Sequence, residues 1–122
     1  MRLKDLESAL SRLDTAFPEP DVRLEQYPTS AHLAARMLFA ADASFGDVEG
    51  RSVVDLGCGT GVLTAAAAVM GAERVLGVDV DAGALGKAAD NLDALECRDV
   101  ADFLLADVVA LADAERGPLR RG

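Results

Sequence analysis

Apolar residues recur along the chain at two spacings, and the alternation between these spacings predicts helices and strands in turn. Spacings of three and four residues predict helices at residues 3–13, 31–44, 62–70 and 82–95. Short apolar runs between the helices predict strands at residues 52–56, 74–78 and 101–106. Because strands alternate with helices of this length, the pattern favours an α/β fold with a parallel sheet.

The pattern also predicts which side chains are buried and where helices begin and end. Thr29 or Ser30 is expected to cap the second helix, Asp81 the fourth, and Gly71 to end the third. The first strand reads as a buried parallel strand. The expected apolar face of the second helix consists of Leu33, Ala34, Met37, Leu38, Ala40 and Ala41, and that of the fourth of Leu85, Ala88, Ala89 and Leu92.

A glycine-rich loop separates the first strand from the third helix. Residues 55–61 read Asp-Leu-Gly-Cys-Gly-Thr-Gly. Glycines at every second position allow a tight turn and a close approach of the backbone to a ligand. A strand, a glycine loop and a helix in this order predict a cradle for a nucleotide-type cofactor. A strand-to-helix turn that holds no ligand is the alternative.

The glycine spacing argues against a dinucleotide. That fingerprint places its third glycine three residues after the second, where this chain has Val62. The carboxylate of Asp55, two residues before Gly57, would repel a pyrophosphate but suits a cation. The pattern resembles motif I of the class I S-adenosylmethionine-dependent methyltransferases, whose cofactor carries an amine and a sulfonium.

Two more carboxylates follow the ends of predicted strands. Asp79 falls 22 residues after Gly57, where a carboxylate can accept hydrogen bonds from both ribose hydroxyls. Asp107 follows the third strand and could accept a hydrogen bond from an adenine amino group, with an aspartate in a surface turn as the alternative. In a parallel sheet, Asp55, Asp79 and Asp107 are expected to converge at one edge.

The amino-acid composition indicates the solution conditions, the binding partners and the cellular location to be expected of this protein. There are 21 acidic residues against 12 basic ones, for a net charge of −9, and only two of the basic residues are lysine. This balance predicts a halophilic protein and is unusual for a nucleic-acid binder. No apolar run is long enough for a membrane span and the first residues lack a signal peptide, so we expect a cytoplasmic location. His32 is expected to face solvent, and Cys58 and Cys97 to be reduced thiols without a metal.

Five stretches together resemble the methyltransferase-like protein five family, which methylates N6 of an adenine in small-subunit ribosomal RNA. They are residues 3–8, 24–29, 32–38, 55–63 and 77–81. The resemblance implies a Rossmann-like class I methyltransferase, a three-layer αβα fold of which strands one to three are present. It divides residues 1–122, a single incomplete domain, into N-terminal helices and a cofactor lid (1–45), a cofactor-binding βαβαβ half (46–108) and a linker-like tail (109–122).

The resemblance also implies the residues that hold S-adenosylmethionine. Gln26 and Thr29, with Tyr27 beside them, would close over its methionine part. Asp79 would hold the ribose, and Asp107 with Val108 the adenine. The residues that would pass around its body are Gly57, Gly59, Thr60, Gly61 and Val62. Partners implied in the same way are ribosomal RNA as substrate and a small zinc-binding activator protein.

One departure limits the expected activity. The family's catalytic motif, Asn-Pro-Pro-Phe, should come shortly after Asp107 but does not occur in residues 1–122, and no other residue can take its place. We therefore expect the N-terminal portion of a longer enzyme, by truncation or frameshift, with no catalytic residues and no activity of its own. A methyltransferase acting on protein or a small molecule, and a non-catalytic module that binds cofactor or a partner, are the alternatives.

Overall fold

A three-stranded parallel sheet forms the centre of the molecule. The computed structural model describes residues 1–17 and 29–110. The strands are β1 (Ser52–Leu56), β2 (Arg74–Asp79) and β3 (Ala101–Leu105), and β2 lies between the other two. Val54 of β1 lies beside Leu76 of β2. Because all three strands run parallel, their carboxyl ends meet at one edge of the sheet.

Four α-helices accompany the strands in the described part of the chain. They are α1 (Leu3–Leu10), α2 (Ala31–Phe45), α3 (Val62–Val69) and α4 (Ala82–Ala94), and a short 3-10 turn, Arg98–Val100, leads into β3. The predicted order of helices and strands is therefore confirmed. The largest difference is at the end of α1, which was predicted to reach residue 13 but ends at Leu10.

Side-chain caps and left-handed residues set the helix boundaries. The Ser30 hydroxyl accepts a hydrogen bond from the backbone N–H of Leu33 at 3.1 Å, so Ser30 caps α2. Asp81 caps α4 through the N–H of Ala84 at 3.2 Å, as predicted. Gly71, just after α3, has a φ of 94°, which confirms it as the residue that ends this helix.

The core lies between the helices and one face of the sheet. Leu6 and Leu10 of α1 and Leu92 of α4 are almost completely buried, with Val75 of β2 beneath them. Ala65–Ala68 of α3 are buried as well. Because alanine side chains are small, α3 packs closely against its neighbours.

The buried face of α2 differs from the prediction. Ala34 and Ala35 are buried, whereas Leu33 and Met37 are each about half exposed, at 51% and 50%. The reason is that α2 packs on α1 and α3 through its small residues, which leaves the larger side chains one turn apart on the outward side. The prediction for α4 is confirmed at Leu85, Ala88 and Leu92, whereas Ala89 is only partly buried.

The burial predicted for β1 was wrong for the residues that the structure describes. Val54 and Leu56 are 57% and 61% exposed, and Leu104 on the same face of the sheet is 42% exposed. Within residues 1–17 and 29–110, β1 pairs with β2 alone, and the helices pack on the opposite face, which carries Val53 and Phe103. A parallel strand is fully buried only when both faces are covered.

Candidate cofactor site

The glycine loop at the end of β1 uses most of its own backbone donors. The N–H groups of Gly57 and Cys58 both donate to the carbonyl oxygen of Val78, at 2.7 and 2.9 Å. The N–H of Gly59 donates to Oδ2 of Asp79 at 2.8 Å, and that of Gly61 to the carbonyl of Cys58 at 3.0 Å. Four amides that could bind a phosphate are therefore occupied.

This arrangement agrees with the glycine spacing in excluding a pyrophosphate cradle. A phosphate-binding loop directs several free N–H groups at the ligand. Here the loop holds itself in place with those groups and has the carboxylates of Asp55 and Asp79 beside it. The local charge is negative, which suits a ligand that is cationic and rich in hydroxyl donors.

At two positions of the loop, glycine is suited to its place for different structural reasons. Gly61 has a φ of 87°, and a Cβ there would lie 2.8 Å from the Cβ of Ala88 on α4, so this glycine allows the loop to pack on α4. Gly57 has a φ of 73°, and no atom of residues 1–17 or 29–110 lies within 4 Å of the position a Cβ would occupy. Among the described residues, the backbone at Gly57 is therefore open to a ligand.

Asp55 connects the end of β1 to the first turn of α3. Its Oδ2 accepts a hydrogen bond of 2.7 Å from the hydroxyl of Thr64, a side chain that is completely buried. Burial raises the pKa of Asp55 above its ordinary value, opposed by the hydrogen bonds from Thr64, and the charge of Asp79 raises it further. The carboxylate therefore ties the end of β1 to the first turn of α3 and places a negative group beside the loop.

Asp79 stands at the end of β2 between two backbone donors. Oδ2 accepts from Gly59, and Oδ1 accepts from the N–H of Asp81 at 3.0 Å. These two bonds fix the orientation of the carboxylate. Each carboxylate oxygen can accept more than one hydrogen bond, so Asp79 keeps acceptor capacity for a pair of hydroxyl groups.

Cys58 lies within the loop and is buried. Burial is the main cause, and with the charges of Asp55 and Asp79 it raises the pKa of the Cys58 thiol to about 12. The thiol is therefore neutral at physiological pH and unsuited to nucleophilic chemistry. In the part of the chain that the structure describes, no group of His, Cys, Asp or Glu is arranged to hold a metal.

Asp107 and Val108 follow β3 at the same edge. The backbone N–H of Ala106 donates to the carbonyl of Asp79 at 2.9 Å, which brings the end of β3 beside the end of β2. The exposed side chain of Asp107 accepts a hydrogen bond from the N–H of Val109 at 2.9 Å. This bond uses one carboxylate oxygen of Asp107, and the contact of Asp107 with an adenine stays a prediction.

A segment that the sequence analysis did not single out lies across the glycine loop. We call residues 14–17 the strap. The buried Thr60 hydroxyl donates to the carbonyl of Thr15 at 2.9 Å, and a Cβ added to Gly59 would lie 2.8 Å from the ring of Phe17. The side chain of Thr60 is therefore engaged with the strap.

A buried asparagine holds the strap and the loop together. Asn91 of α4 is 4% exposed and bonds to both Thr60 and Asp14. The sequence signal that could have revealed it is a lone asparagine at helical spacing within the stripe formed by Ala88 and Leu92.

Of the remaining predicted site residues, only some lie in the described part of the chain. Gln26 and Tyr27 lie outside the described residues. Thr29 is partly buried and stands directly before the cap of α2, and Val62 is buried at the start of α3. His32 is exposed, as predicted, and its Nδ1 lies 3.2 Å from Oε1 of Glu7 on α1.

These residues fit S-adenosylmethionine better than any other nucleotide-type cofactor considered above. The open backbone at Gly57 is where a side chain would obstruct a ligand. Acidic acceptors lie beside the loop, Asp55 for a cationic group and Asp79 for a ribose diol. The occupied loop amides give no reason to expect a phosphate.

The first strand of the parallel sheet leads through this glycine loop into a helix, and carboxylates lie at the neighbouring strand ends. These features define a Rossmann-like class I methyltransferase. The chain belongs to the methyltransferase family described as ribosomal protein L11 methyltransferase (PrmA), whose family model matches residues 29–115.

Two relatives confirm the resemblance to methyltransferase-like protein five. The rRNA N(6)-adenosine-methyltransferase METTL5 of Danio rerio is 41% identical over 93% of this chain. Its counterpart in Drosophila melanogaster is 38% identical over 91%. The chain covers 54% and 51% of these two relatives, so it spans about half of their length.

Solved structures agree on the fold. A candidate RNA methyltransferase of Pyrococcus horikoshii superposes with a TM-score of 0.80 at 40% identity, over 88% of this chain and 51% of that one. An RNA methyltransferase of Salinibacter ruber in complex with S-adenosyl-L-homocysteine gives 0.58 at 29% identity, over 66% of this chain and 50% of that one. The predicted fold class is confirmed, and so, for the family, is the predicted dependence on S-adenosylmethionine.

Proposed function

We propose that this chain is the S-adenosylmethionine-binding part of an rRNA adenine N6-methyltransferase. The observation that carries the proposal is the glycine loop, which occupies four of its own amides, lies beside Asp55 and Asp79, and among the described residues has an open backbone at Gly57. The loop supports only the choice of cofactor. The proposed RNA substrate rests on the two METTL5 relatives, which match over more than nine-tenths of this chain.

Each residue has a separate task in the proposed complex. Asp79, already oriented by Gly59 and Asp81, accepts hydrogen bonds from the ribose hydroxyls. Asp55 supplies negative charge on the side of the cationic methionine part, and Asp107 with Val108 borders the adenine. Gln26, Tyr27 and Thr29 remain proposed contacts to the methionine part, on the strength of the family resemblance.

The chemistry requires little from the protein beyond position. When bound, S-adenosylmethionine supplies a methyl group on a sulfonium, which a neutral amine nitrogen can attack without a strong base. The contribution of this chain is to bind the methyl donor and to hold its orientation.

Methylation of a protein is the second candidate. The family model is that of ribosomal protein L11 methyltransferase, and the enzyme of that name from Vibrio vulnificus is 42% identical over 83 residues. That match covers 61% of this chain, against 93% for the METTL5 relative. The match over the larger share of this chain favours the RNA substrate.

We further infer that residues 1–122 alone transfer no methyl group. By the family resemblance, the motif that positions the target adenine is Asn-Pro-Pro-Phe, and these residues do not contain it. The test is incubation of the chain with labelled S-adenosylmethionine and either small-subunit rRNA or ribosomal protein, beside a full-length relative. We expect no transfer by this chain; labelled RNA or labelled protein would contradict the inferred inactivity, and labelled protein without labelled RNA would also favour the second candidate.

Cofactor binding is tested with two glycine variants that are closely matched. Gly57 and Gly50 have φ values of 73° and 72°, and at both an added Cβ meets no atom of the described residues within 4 Å. Their backbone strain on substitution by alanine is therefore similar, but only Gly57 borders the proposed ligand.

Calorimetric titration with S-adenosylmethionine should show binding by the wild type and by Gly50→Ala. Gly57→Ala should weaken binding about tenfold or more, because the new methyl group occupies ligand space. Equal affinities for the two variants, or no binding by the wild type, would contradict the proposed site.

A further inference from the structure

Asn91 makes three hydrogen bonds although it lies on the buried side of α4. Its Nδ2 donates to the carbonyl oxygens of Thr60 and Asp14, both at 2.9 Å. Its Oδ1 accepts from the N–H of Asp14 at 3.1 Å. Both side-chain donors are used, and the partners lie 31 and 77 residues away along the chain. Asn91 therefore joins three separate segments: α4, the glycine loop and the strap.

Packing alone does not explain an asparagine at this position. Its neighbours on the same stripe, Ala88 and Leu92, are apolar and fully buried, and a leucine would fill a similar volume. A buried amide is unfavourable unless its donors and acceptor are satisfied. The polar side chain is thus compatible with the fold only while loop and strap stay in place.

The bond to Thr60 acts on a carbonyl that lies between two glycines of the loop. Thr60 lies between Gly59 and Gly61, whose φ values of 56° and 87° are both positive. Glycines on both sides allow the peptide group after Thr60 to rotate at low steric cost. A hydrogen bond from Asn91 to the Thr60 carbonyl opposes that rotation.

The same side chain anchors the strap where it crosses the loop. Asp14 is held at both its N–H and its carbonyl by Asn91, and its carboxylate pairs with Nζ of Lys87 at 2.9 Å. From this anchor the strap continues to Thr15, which accepts from Thr60, and to Phe17 against Gly59. The loop that carries Gly57 is therefore supported from α4 and from the strap together.

We propose that Asn91 is a positioning residue for cofactor binding, which holds the glycine loop and the strap in the binding-competent arrangement. The inference rests on the proposed function, because its consequence is an affinity for S-adenosylmethionine. It also makes a claim about the free protein, namely that Asn91 restrains the loop and strap before any ligand is present.

The first experiment measures affinity in variants of Asn91. Asn91→Leu keeps the volume and removes all three hydrogen bonds, and Asn91→Asp keeps the acceptor and the size but loses both donors. Both should bind S-adenosylmethionine about tenfold or more weakly, measured on folded protein below its melting temperature, since each loses at least two buried hydrogen bonds. Lys87→Met is the control, because it removes only the outer ion pair to Asp14 and should bind nearly as the wild type does.

A second experiment, on amide hydrogen exchange without cofactor, separates this proposal from the proposed function. In Asn91→Leu, the amides of Asp14 and Gly61 should exchange about tenfold faster or more, while those of β2 stay as in the wild type. Such local loosening in a protein that does not bind S-adenosylmethionine would reject the proposed function but keep the positioning of the loop. Equal acceleration throughout the chain would mean a general loss of stability and would overturn the positioning role.

The third measurement needs no variant. Because binding and loop ordering are coupled reciprocally, S-adenosylmethionine should slow the exchange of the side-chain amide protons of Asn91 in the wild type. If the cofactor binds and those protons exchange as before, or if Asn91→Leu and Asn91→Asp bind with wild-type affinity, Asn91 is not a positioning residue.

Discussion

At the scale of single residues, the glycine loop depends on contacts too close for any side chain. Gly61 combines a φ of 87° with a contact to Ala88, where an added Cβ would lie 2.8 Å from that Cβ and 3.1 Å from the Cα. Neither atom belongs to a flexible side chain that could move aside. Substitution must therefore move the loop away from α4 or strain the backbone.

We expect Gly61→Ala to lower the free energy of unfolding by about 2–4 kcal/mol, from strain and overpacking together. Gly86→Ala is the matched control, because Gly86 lies inside α4, has no left-handed backbone, and a Cβ there would meet no atom of the described residues within 4 Å. It should stabilise the protein by about 0.5–1 kcal/mol. Urea denaturation compares the two, and a Gly61→Ala variant as stable as the wild type would refute the close packing of loop and helix.

The thiol of Cys58 should be unreactive in the folded protein. With a pKa of about 12, it is almost entirely protonated at pH 8.5, so we expect alkylation by iodoacetamide to be at least about 100-fold slower than in denaturant. A Cys97→Ser variant isolates this thiol, and mass spectrometry follows its modification. Labelling of the native protein as fast as the unfolded chain would contradict the burial of the loop.

The carboxylate of Asp55 gives the stability a pH dependence of known sign. Its pKa is raised in the folded state from about 3.8, so the folded protein holds the proton more tightly than the unfolded chain does. This contribution to stability is therefore present at low pH and is lost as pH rises through the folded pKa.

Asp55→Asn should remove this part of the pH dependence, because its amide does not titrate while its oxygen can still accept from Thr64. Urea unfolding between pH 4 and 7 compares the slopes of the variant and the wild type. Parallel slopes would mean that Asp55 titrates alike in the folded and unfolded chain.

At the scale of elements, a side-chain cap decides where α2 begins. Ser30 accepts from Leu33 at the start of α2, immediately after Thr29, one of the proposed cofactor contacts. Ser30→Ala should cost about 1 kcal/mol of unfolding free energy, and Ser30→Asp should restore it, because a carboxylate caps equally well and suits the helix dipole. Thermal unfolding by circular dichroism measures both, and a loss that aspartate does not restore would assign another role to Ser30.

The predictions made from the sequence were right for features within one element and wrong for contacts between elements. The order of strands and helices, the cap at Asp81 and the end of α3 at Gly71 follow from local chemistry. The exposure of Leu33 and Met37 does not, because it depends on which neighbours α2 meets. Asn91 was missed for the same reason, since its partners lie far away in the sequence.

At the scale of the whole molecule, charge is the dominant property. A net charge of −9 on 122 residues produces self-repulsion that salt screens. We predict that the melting temperature rises markedly between 0.1 and 2 M KCl, as expected of a halophilic protein. Calorimetry over this range is the test, with a charge-balanced protein of similar size as control, and a melting temperature that does not follow salt would reject the hypothesis.

The uncovered face of the sheet is a second property of the whole. Val54, Leu56 and Leu104 leave apolar surface exposed on the side away from the helices, in a chain that spans about half the length of its METTL5 relatives. The sequence stretch of β1 reads as buried because its residues suit a sheet covered on both faces. In the described residues only one face is covered.

The sequence by itself determined the α/β order, the glycine loop, the exclusion of a dinucleotide and the family, because these depend on residues that are close together or in a fixed order. Only the tertiary structure decided how the loop is held. The occupied amides, the bond between Asp55 and Thr64, the contact of Gly61 with Ala88 and the junction at Asn91 all join residues from different elements. Such contacts arise from packing in three dimensions and leave little trace in local sequence patterns.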